Sequence, residues 1–385
     1  MKRIYLDYAA TTPVDERVIT AMLPYFKDGF GNPSSVHGFG QAADKALDES
    51  RRSIAAGLGA KPDEIIFTSC GSESDNLAIR GSALARREKY GHNHILISPL
   101  EHPAVQATAD QLAAHYGFEV GYLPVDPDGS VVEGSLSDHL RQDTALVSVM
   151  AANNEIGTLN NIHHLASDCR ERGIPFHTDA VQYAAHHPLD VDQSGADLIS
   201  LGAHKFYGPK GVGVLYVRPG TELLPIQTGG SQEFGLRAAT ENIPLIVGMA
   251  EAFRLVQEEG AARRERLIPI RDRIIDYVLE NIPHSQLTGA PSANRLPNHA
   301  SFVFKDLDGN LLIQVLDSEG YACSSGSACK TGDPKPSSVL THLGFAPDWS
   351  LGSLRISLGK DTTGGEVDQF LEILPGCVQR VREVS

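Results

Sequence analysis

Between residues 65 and 217 the chain alternates short apolar runs with longer amphipathic ones, and this alternation leaves few architectures open to it. Strand patterns fall at Ile65 to Ser69, His94 to Ser98, Val120 to Val125, Ala145 to Met150, Pro175 to Thr178, Leu198 to Leu201 and Gly213 to Val217. Helical patterns occupy 73 to 90, 102 to 115, 134 to 141 and 163 to 172. Parallel strands need a long crossover, usually a helix, so this order predicts an α/β domain whose mostly parallel sheet is covered on both faces.

The flanking stretches differ. Residues 4 to 12 read as extended, Pro13 opens a helical pattern to about Lys27, and a second helix is expected from Gly40 to Gly57 after the turn residues Gly31 to Ser35. Beyond Gly230, residues 240 to 282 hold two helical patterns, the second charged at Arg263-Arg264-Glu265-Arg266. Shorter runs at Ala300 to Phe304, Leu311 to Leu316 and Leu354 to Ser357 precede a helix from Glu366 to Arg382. A chain of 385 residues has room for two domains. The expected division is an N-terminal segment, 1–15, packing with the small domain, a large domain, 16–255, and a smaller α+β domain, 256–385.

The formal charge, 33 basic minus 48 acidic residues or -15, argues against a nucleic-acid surface or a basic membrane patch. Asp7 interrupts the N-terminus too early for an ordinary signal peptide, and no apolar run reaches membrane-spanning length, so a cytoplasmic protein is expected. Five cysteines without a CxxC pair suggest neither a disulfide framework nor a zinc ribbon. The adjacent pairs His163-His164 and His186-His187 do not converge on one ion, and no metal is expected.

Ligands of open α/β sheets collect at the carboxyl ends of the strands. The residues arriving there are Cys70-Gly71-Ser72-Glu73-Ser74-Asp75-Asn76, Glu101-His102-Pro103, Asn153-Asn154-Glu155, Asp179 with Gln182, and His204-Lys205. A glycine and hydroxyl turn opening a helix suits a phosphate. A lysine at the end of a buried strand loses proton affinity and gains the lone pair a Schiff base needs. A buried acid, a ring-stacking histidine, such a lysine and a phosphate site together suit a phosphorylated pyridine aldehyde.

With Leu6-Asp7-Tyr8-Ala9-Ala10-Thr11-Thr12, Asn153-Asn154-Glu155-Ile156-Gly157, Asp179-Ala180-Val181-Gln182, Tyr207-Gly208-Pro209-Lys210-Gly211 and Ser325-Gly326-Ser327-Ala328-Cys329, these motifs closely resemble the pyridoxal-phosphate-dependent cysteine desulfurases of the NifS and IscS type. The resemblance spans essentially the whole chain. It implies fold type I of the pyridoxal-phosphate enzymes, with a mostly parallel seven-stranded sheet in the large domain. Lys205 would form the Schiff base, Asp179 would pair with the pyridine nitrogen, and Gln182 would bond the ring hydroxyl. His102 would stack on the ring and shuttle protons, while Gly71, Ser72 and His204 would hold the phosphate. Thr240 would complete the phosphate site of a second subunit, which implies a homodimer. Asn154 and Arg355 would bind the substrate carboxylate, Asn154 also contacting the cofactor, with Asn32 as a further site residue. Cys329 would take sulfur from L-cysteine as a persulfide, releasing L-alanine, and pass it to an acceptor protein such as an iron-sulfur scaffold.

Three positions depart from the pattern: Gly202 replaces a usual hydroxyl residue, Ala239 a common glycine, and Cys70 a frequent glycine. The chain stops at Ser385 without the longer tail of some members, which leaves the sulfur acceptor open. Selenocysteine or cystine lysis on the same scaffold, and a non-catalytic sulfur-relay subunit, are the alternatives.

Overall fold

The structure is a computed structural model describing residues 3–326 and 336–384. Among the described residues are twelve strands: β1 (Ile4–Tyr5), β2 (Ile65–Thr68), β3 (His94–Ile97), β4 (Glu119–Tyr122), β5 (Thr144–Ser148), β6 (Phe176–Asp179), β7 (Leu198–Gly202), β8 (Gly213–Val217), β9 (Ser285–Leu287), β10 (His299–Phe304), β11 (Tyr321–Ala322) and β12 (Ser353–Ser357).

Seven of them form the main sheet, in the order β2-β8-β7-β6-β5-β3-β4. The neighbours from β7 to β4 run parallel, as the alternation predicts, and β8 alone opposes its two neighbours. The reason lies in the connection from β7 to β8. It is a short turn through Tyr207 and Gly211, both at positive φ, with no crossover helix to carry the chain back. Successive residues of β7 face opposite ways: Leu198 packs in one core with Ile95, Ile97 and Leu215, and Ile199 and Leu201 pack in the other with Val147 and Phe176. Both faces are therefore covered by packed side chains.

The two helical patterns of residues 240 to 282 are one 39-residue helix, Ile243–Asn281. Its first half gives Ile246, Met249 and Phe253 to the main-sheet core, and its second half gives Leu267, Ile274 and Val278 to a separate core. The charged run between them does not end the helix, because each arginine is used: Arg263 lies 4.8 Å over the Tyr207 ring, Arg264 donates to the His186 carbonyl at 3.0 Å, and Arg266 donates to the Thr362 carbonyl at 2.6 Å. The boundary drawn at 255 falls inside this helix.

The second core lies against the antiparallel sheet β12-β10-β9. Residues Leu311 to Leu316 lie on a helix, Gly309–Ser318, and helix Gly364–Arg382 packs beside it. β1 pairs in parallel with β11, and Ile4 and Leu6 join the second core. Among the described residues no helix is long and apolar enough to cross a membrane.

Candidate active site

A cavity of about 200 Å³ opens at the carboxyl ends of the main-sheet strands, walled by Gly71, Ser72, His102, Asn154, Asp179, Gln182, His204 and Lys205. Eight residues from five separate strand ends are thus brought together, the arrangement that doubly wound sheets favour.

Lys205 ends a single 3₁₀ turn, Ala203–Lys205, directly after β7. Its ammonium donates to the carbonyls of Ala9 at 2.8 Å and Ala10 at 2.7 Å. Burial pushes its pKa down to about 8, with the Arg355 charge adding to the effect and Asp179 and Asp7 opposing it. An amine that releases its proton near neutral pH can act as a nucleophile.

Opposite the lysine lies a buried acidic layer. Asp179 closes β6, its Oδ1 accepts the Val181 N–H at 2.9 Å, and burial raises its proton affinity against the nearby His102 and Lys205. Behind it, Asp75 Oδ1 lies 3.6 Å from His177 Nε2 and has no hydrogen-bond partner among the described residues. Glu101 accepts the Met150 N–H at 2.7 Å through Oε1, while its buried Oε2 has no partner among the described residues. His177, hydrogen-bonded to Ser148 at 2.8 Å and Ser200 at 3.0 Å, is pushed by burial down to about 3 and stays neutral. Buried carboxylates short of partners favour a cation placed among them.

His102 caps helix Pro103–Tyr116, its Nδ1 accepting the Ala104 N–H at 3.1 Å. The neutral ring therefore carries its proton on Nε2. Ligand atoms of Asp75, His102 and Asp179 fall within 4.8 Å of one another, a spacing a metal could also use, but the Lys205 amine of lowered pKa on the same cavity suits a carbonyl cofactor better.

Helical structure resumes at Gly71, and Cys70 makes no side-chain cap there, so first-turn N–H groups are free for an anion. A Cβ on Gly71 would lie 2.8 Å from Val181 Cγ2, so glycine permits the close approach of turn and sheet. His204 Nδ1 is 3.1 Å from Thr11 Oγ1, and burial pushes that ring down to about 4. The Gln182 amide donates to the Ala9 carbonyl at 2.8 Å. A lysine of lowered pKa, buried acids, a helix-capping histidine and an uncapped helix start fit pyridoxal phosphate.

Arg355 lies on β12, beside this cavity. Its Nη2 donates to Asp7 Oδ1 at 2.8 Å and its Nη1 to the Asn154 carbonyl at 3.0 Å, while the buried Nε has no partner among the described residues. Of the neighbouring amides only Asn154 faces the cavity. Asn153 is turned inward, donating to the Leu100 carbonyl at 2.9 Å and accepting from the N–H groups of Glu155 and Ile156.

Two expected residues lie elsewhere. Asn32 is exposed and accepts the Ser34 N–H at 2.9 Å, and Thr240 is exposed on a loop; neither walls the cavity of its own chain. The Thr240 loop is anchored by Glu233, which Arg51 grips through two 2.7 Å bonds, and Arg237 donates to Glu73 at 2.8 Å beside the phosphate turn. Cys329 lies outside the described residues. Cys323, half-buried, packs against the second core, and burial pushes its thiol up.

The amino-acid sequence alone points to no role for the carbonyls of Ala9 and Ala10 or for the buried Asp75, Glu101 and His177. Asp75 and Glu101 stood in its motifs, but spacing does not reveal which acid turns inward.

The model of the Aminotransferase class-V family matches residues 4–370. A cysteine desulfurase IscS of Dictyoglomus turgidum is 46% identical over 386 residues, covering 100% of this chain and 97% of that protein. One from Methanosarcina thermophila is 44% identical, covering 100% and 94%. Among solved structures, a NifS-like protein superposes with a TM-score of 0.91 at 35% identity over 98% of this chain and 100% of its own. An apo cysteine desulfurase from Thermococcus onnurineus gives 0.87 at 25% identity, over 98% and 95%. The chain belongs to the class-V aminotransferase family, among its cysteine desulfurases of the NifS and IscS type.

Proposed function

We infer that this chain is a pyridoxal-phosphate-dependent cysteine desulfurase that converts L-cysteine to L-alanine and supplies sulfur for iron-sulfur cluster formation. The observation that carries the reading is one cavity walled by a lysine with its pKa near 8 and by buried carboxylates. Bound there, pyridoxal phosphate supplies an electron sink that acidifies the substrate Cα–H and weakens its Cβ–S bond.

The chain's own residues do the rest. Lys205 offers the amine, Asp179 the counter-charge for a ring nitrogen, Gln182 a hydrogen bond to the ring hydroxyl, and Gly71, Ser72 and His204 the phosphate contacts. His102 covers the ring and offers the Nε2 proton. Arg355 and Asn154 take the substrate carboxylate, with Asn32 as a further site residue. The Cys329 thiolate attacks the substrate sulfur: the C–S bond breaks, the S–S bond forms, and Cβ takes a proton. Substrate thiol and enzyme thiol thus become alanine and a Cys329 persulfide, with no external oxidant.

A homodimer belongs to the same reading. Thr240 is exposed on an anchored loop, and Leu23, Phe26, Phe30, Phe39 and Phe234 are more than half exposed on the same chain, which supports burial against a second copy. A sulfur-acceptor protein such as an iron-sulfur scaffold, and a cytoplasmic location, complete the proposal. Alanine release from L-cysteine, cystine and selenocysteine, measured side by side, tests it: a preference for cysteine is expected, and activity confined to either of the others would replace it with a lyase.

A further inference from the structure

One buried histidine outside the cavity touches the turn that carries Asn154. His299, the first residue of β10, is fully buried, and its Nε2 lies 3.2 Å from the Asn154 carbonyl oxygen. The same oxygen receives Arg355 Nη1 at 3.0 Å, so both of its lone pairs are used. A carbonyl only accepts, which places the ring proton on Nε2 and leaves Nδ1 bare. Nδ1 has no partner among the described residues, and Gly157, at φ 76°, brings backbone against that edge: a Cβ there would lie 2.7 Å from it.

The charged and titratable groups around the ring are Arg295, Arg355 and His186; burial and these neighbours hold its proton affinity well below the usual value. His299 is therefore a fixed neutral donor. It is not part of the cavity wall.

We propose that His299 is a positioning residue for substrate binding, its Nε2–H holding the Asn154 carbonyl and thereby orienting both Asn154 and the Arg355 guanidinium toward the carboxylate of the amino-acid substrate. This rests on the reading of Asn154 and Arg355 as the carboxylate ligands. The N–H of the same peptide, that of Glu155, donates to Asn153 Oδ1 at 2.8 Å, so the peptide is held on one side by the Asn153 side chain and on its carbonyl side by His299 and Arg355. Asn153 holds the Leu100 carbonyl, and Arg295 Nη1 donates to the Ile156 carbonyl at 2.8 Å. Without His299 the Asn154 peptide loses one of two donors, and the arginine that shares its oxygen loses a fixed anchor.

The test uses the holoenzyme with His299→Gln, His299→Met and His299→Phe. Glutamine restores an N–H at similar reach, methionine matches its length without a donor, and phenylalanine keeps the ring shape. Loss of a buried donor should raise KM for L-cysteine about tenfold in the Met and Phe variants, with kcat changed less than about twofold. Kd for L-alanine, read from the cofactor absorption, should rise in parallel, and glutamine should recover most of both. If Phe does not fold, the equal-length Gln and Met pair decides. Unchanged KM and Kd in a folded Met variant, equal values for Gln and Met, or a loss confined to kcat would overturn the proposal. Arg355→Gln is measured alongside: if it leaves KM and Kd unchanged, the carboxylate reading itself fails, whatever the His299 variants do.

Discussion

Lys205 Nζ lies 2.7 Å from the carbonyl oxygen of Ala10, a residue 195 positions earlier in the chain. The N-terminal segment thus supplies the acceptors that aim the amine, while burial lowers its pKa to about 8. Capture of pyridoxal phosphate by the apo chain needs the neutral amine, so its rate should climb with pH and level off above about 8. A midpoint near the ordinary lysine value of about 10.4 would contradict this. Stability follows the same groups. Below about 8 both folded and unfolded chains hold the proton, and the burial cost is fully present. Between about 8 and about 10.4 only the unfolded chain holds it, so apo stability attributable to Lys205 should rise with pH across that window.

Gly202 has extended dihedrals, φ -137° and ψ 119°, that any residue adopts. A Cβ there would lie 3.5 Å from both Gly71 N and Val181 Cγ1, ordinary contact distances. Gly202→Ser should therefore fit and place a hydroxyl beside the phosphate turn, tightening pyridoxal phosphate binding by about fivefold to tenfold. Equilibrium dialysis of the cofactor checks this, and weaker retention would show that the glycine is needed for space.

Ala239 sits at φ 96°, a conformation that disfavours a Cβ. Ala239→Gly should relieve the strain and stabilise the chain by about 1 kcal/mol net of the extra freedom glycine brings to the unfolded state. A rise in Tm of a few degrees is expected by calorimetry; a fall would mean that the methyl group makes a compensating contact.

Glu233 is gripped by the Arg51 guanidinium and also accepts the Phe67 N–H at 2.7 Å, with the two side chains only 9% and 1% exposed. Glu233→Ala leaves a buried cation and an unmet N–H, and should cost about 3–5 kcal/mol. Replacing both Arg51 and Glu233 with leucine should cost clearly less than the sum of the two single changes. Denaturant titration of the three variants measures the coupling, and additive losses would deny that the pair acts as a unit.

The alternation of strands and helices was legible because a doubly covered sheet writes itself as short apolar runs; β7 and β8 begin and end within a residue of their patterns. The residues at the strand ends were legible for the same reason. Features that depend on distant partners were not. Arg355 meets Asp7 across 348 positions, and no local pattern announces it. The charged run at Arg263 to Arg266 looks like a break between helices until Tyr207, His186 and Thr362 are seen to receive it.

Side-chain direction was equally hidden. Asn153 and Asn154 are adjacent and chemically identical, yet one braces the turn and the other faces the cavity. His299 stood in no motif, and only its 3.2 Å approach to the Asn154 carbonyl distinguishes it from any buried histidine.

The most direct test of the account is mass analysis of the Cys329 peptide after the yellow holoenzyme is mixed with L-cysteine, beside the Cys329→Ser variant. Cys329 is expected to gain one sulfur atom as alanine is released, and the serine variant to keep its cofactor band but release no alanine. A holoenzyme that releases alanine while Cys329 gains no mass, with the serine variant equally active, would contradict it.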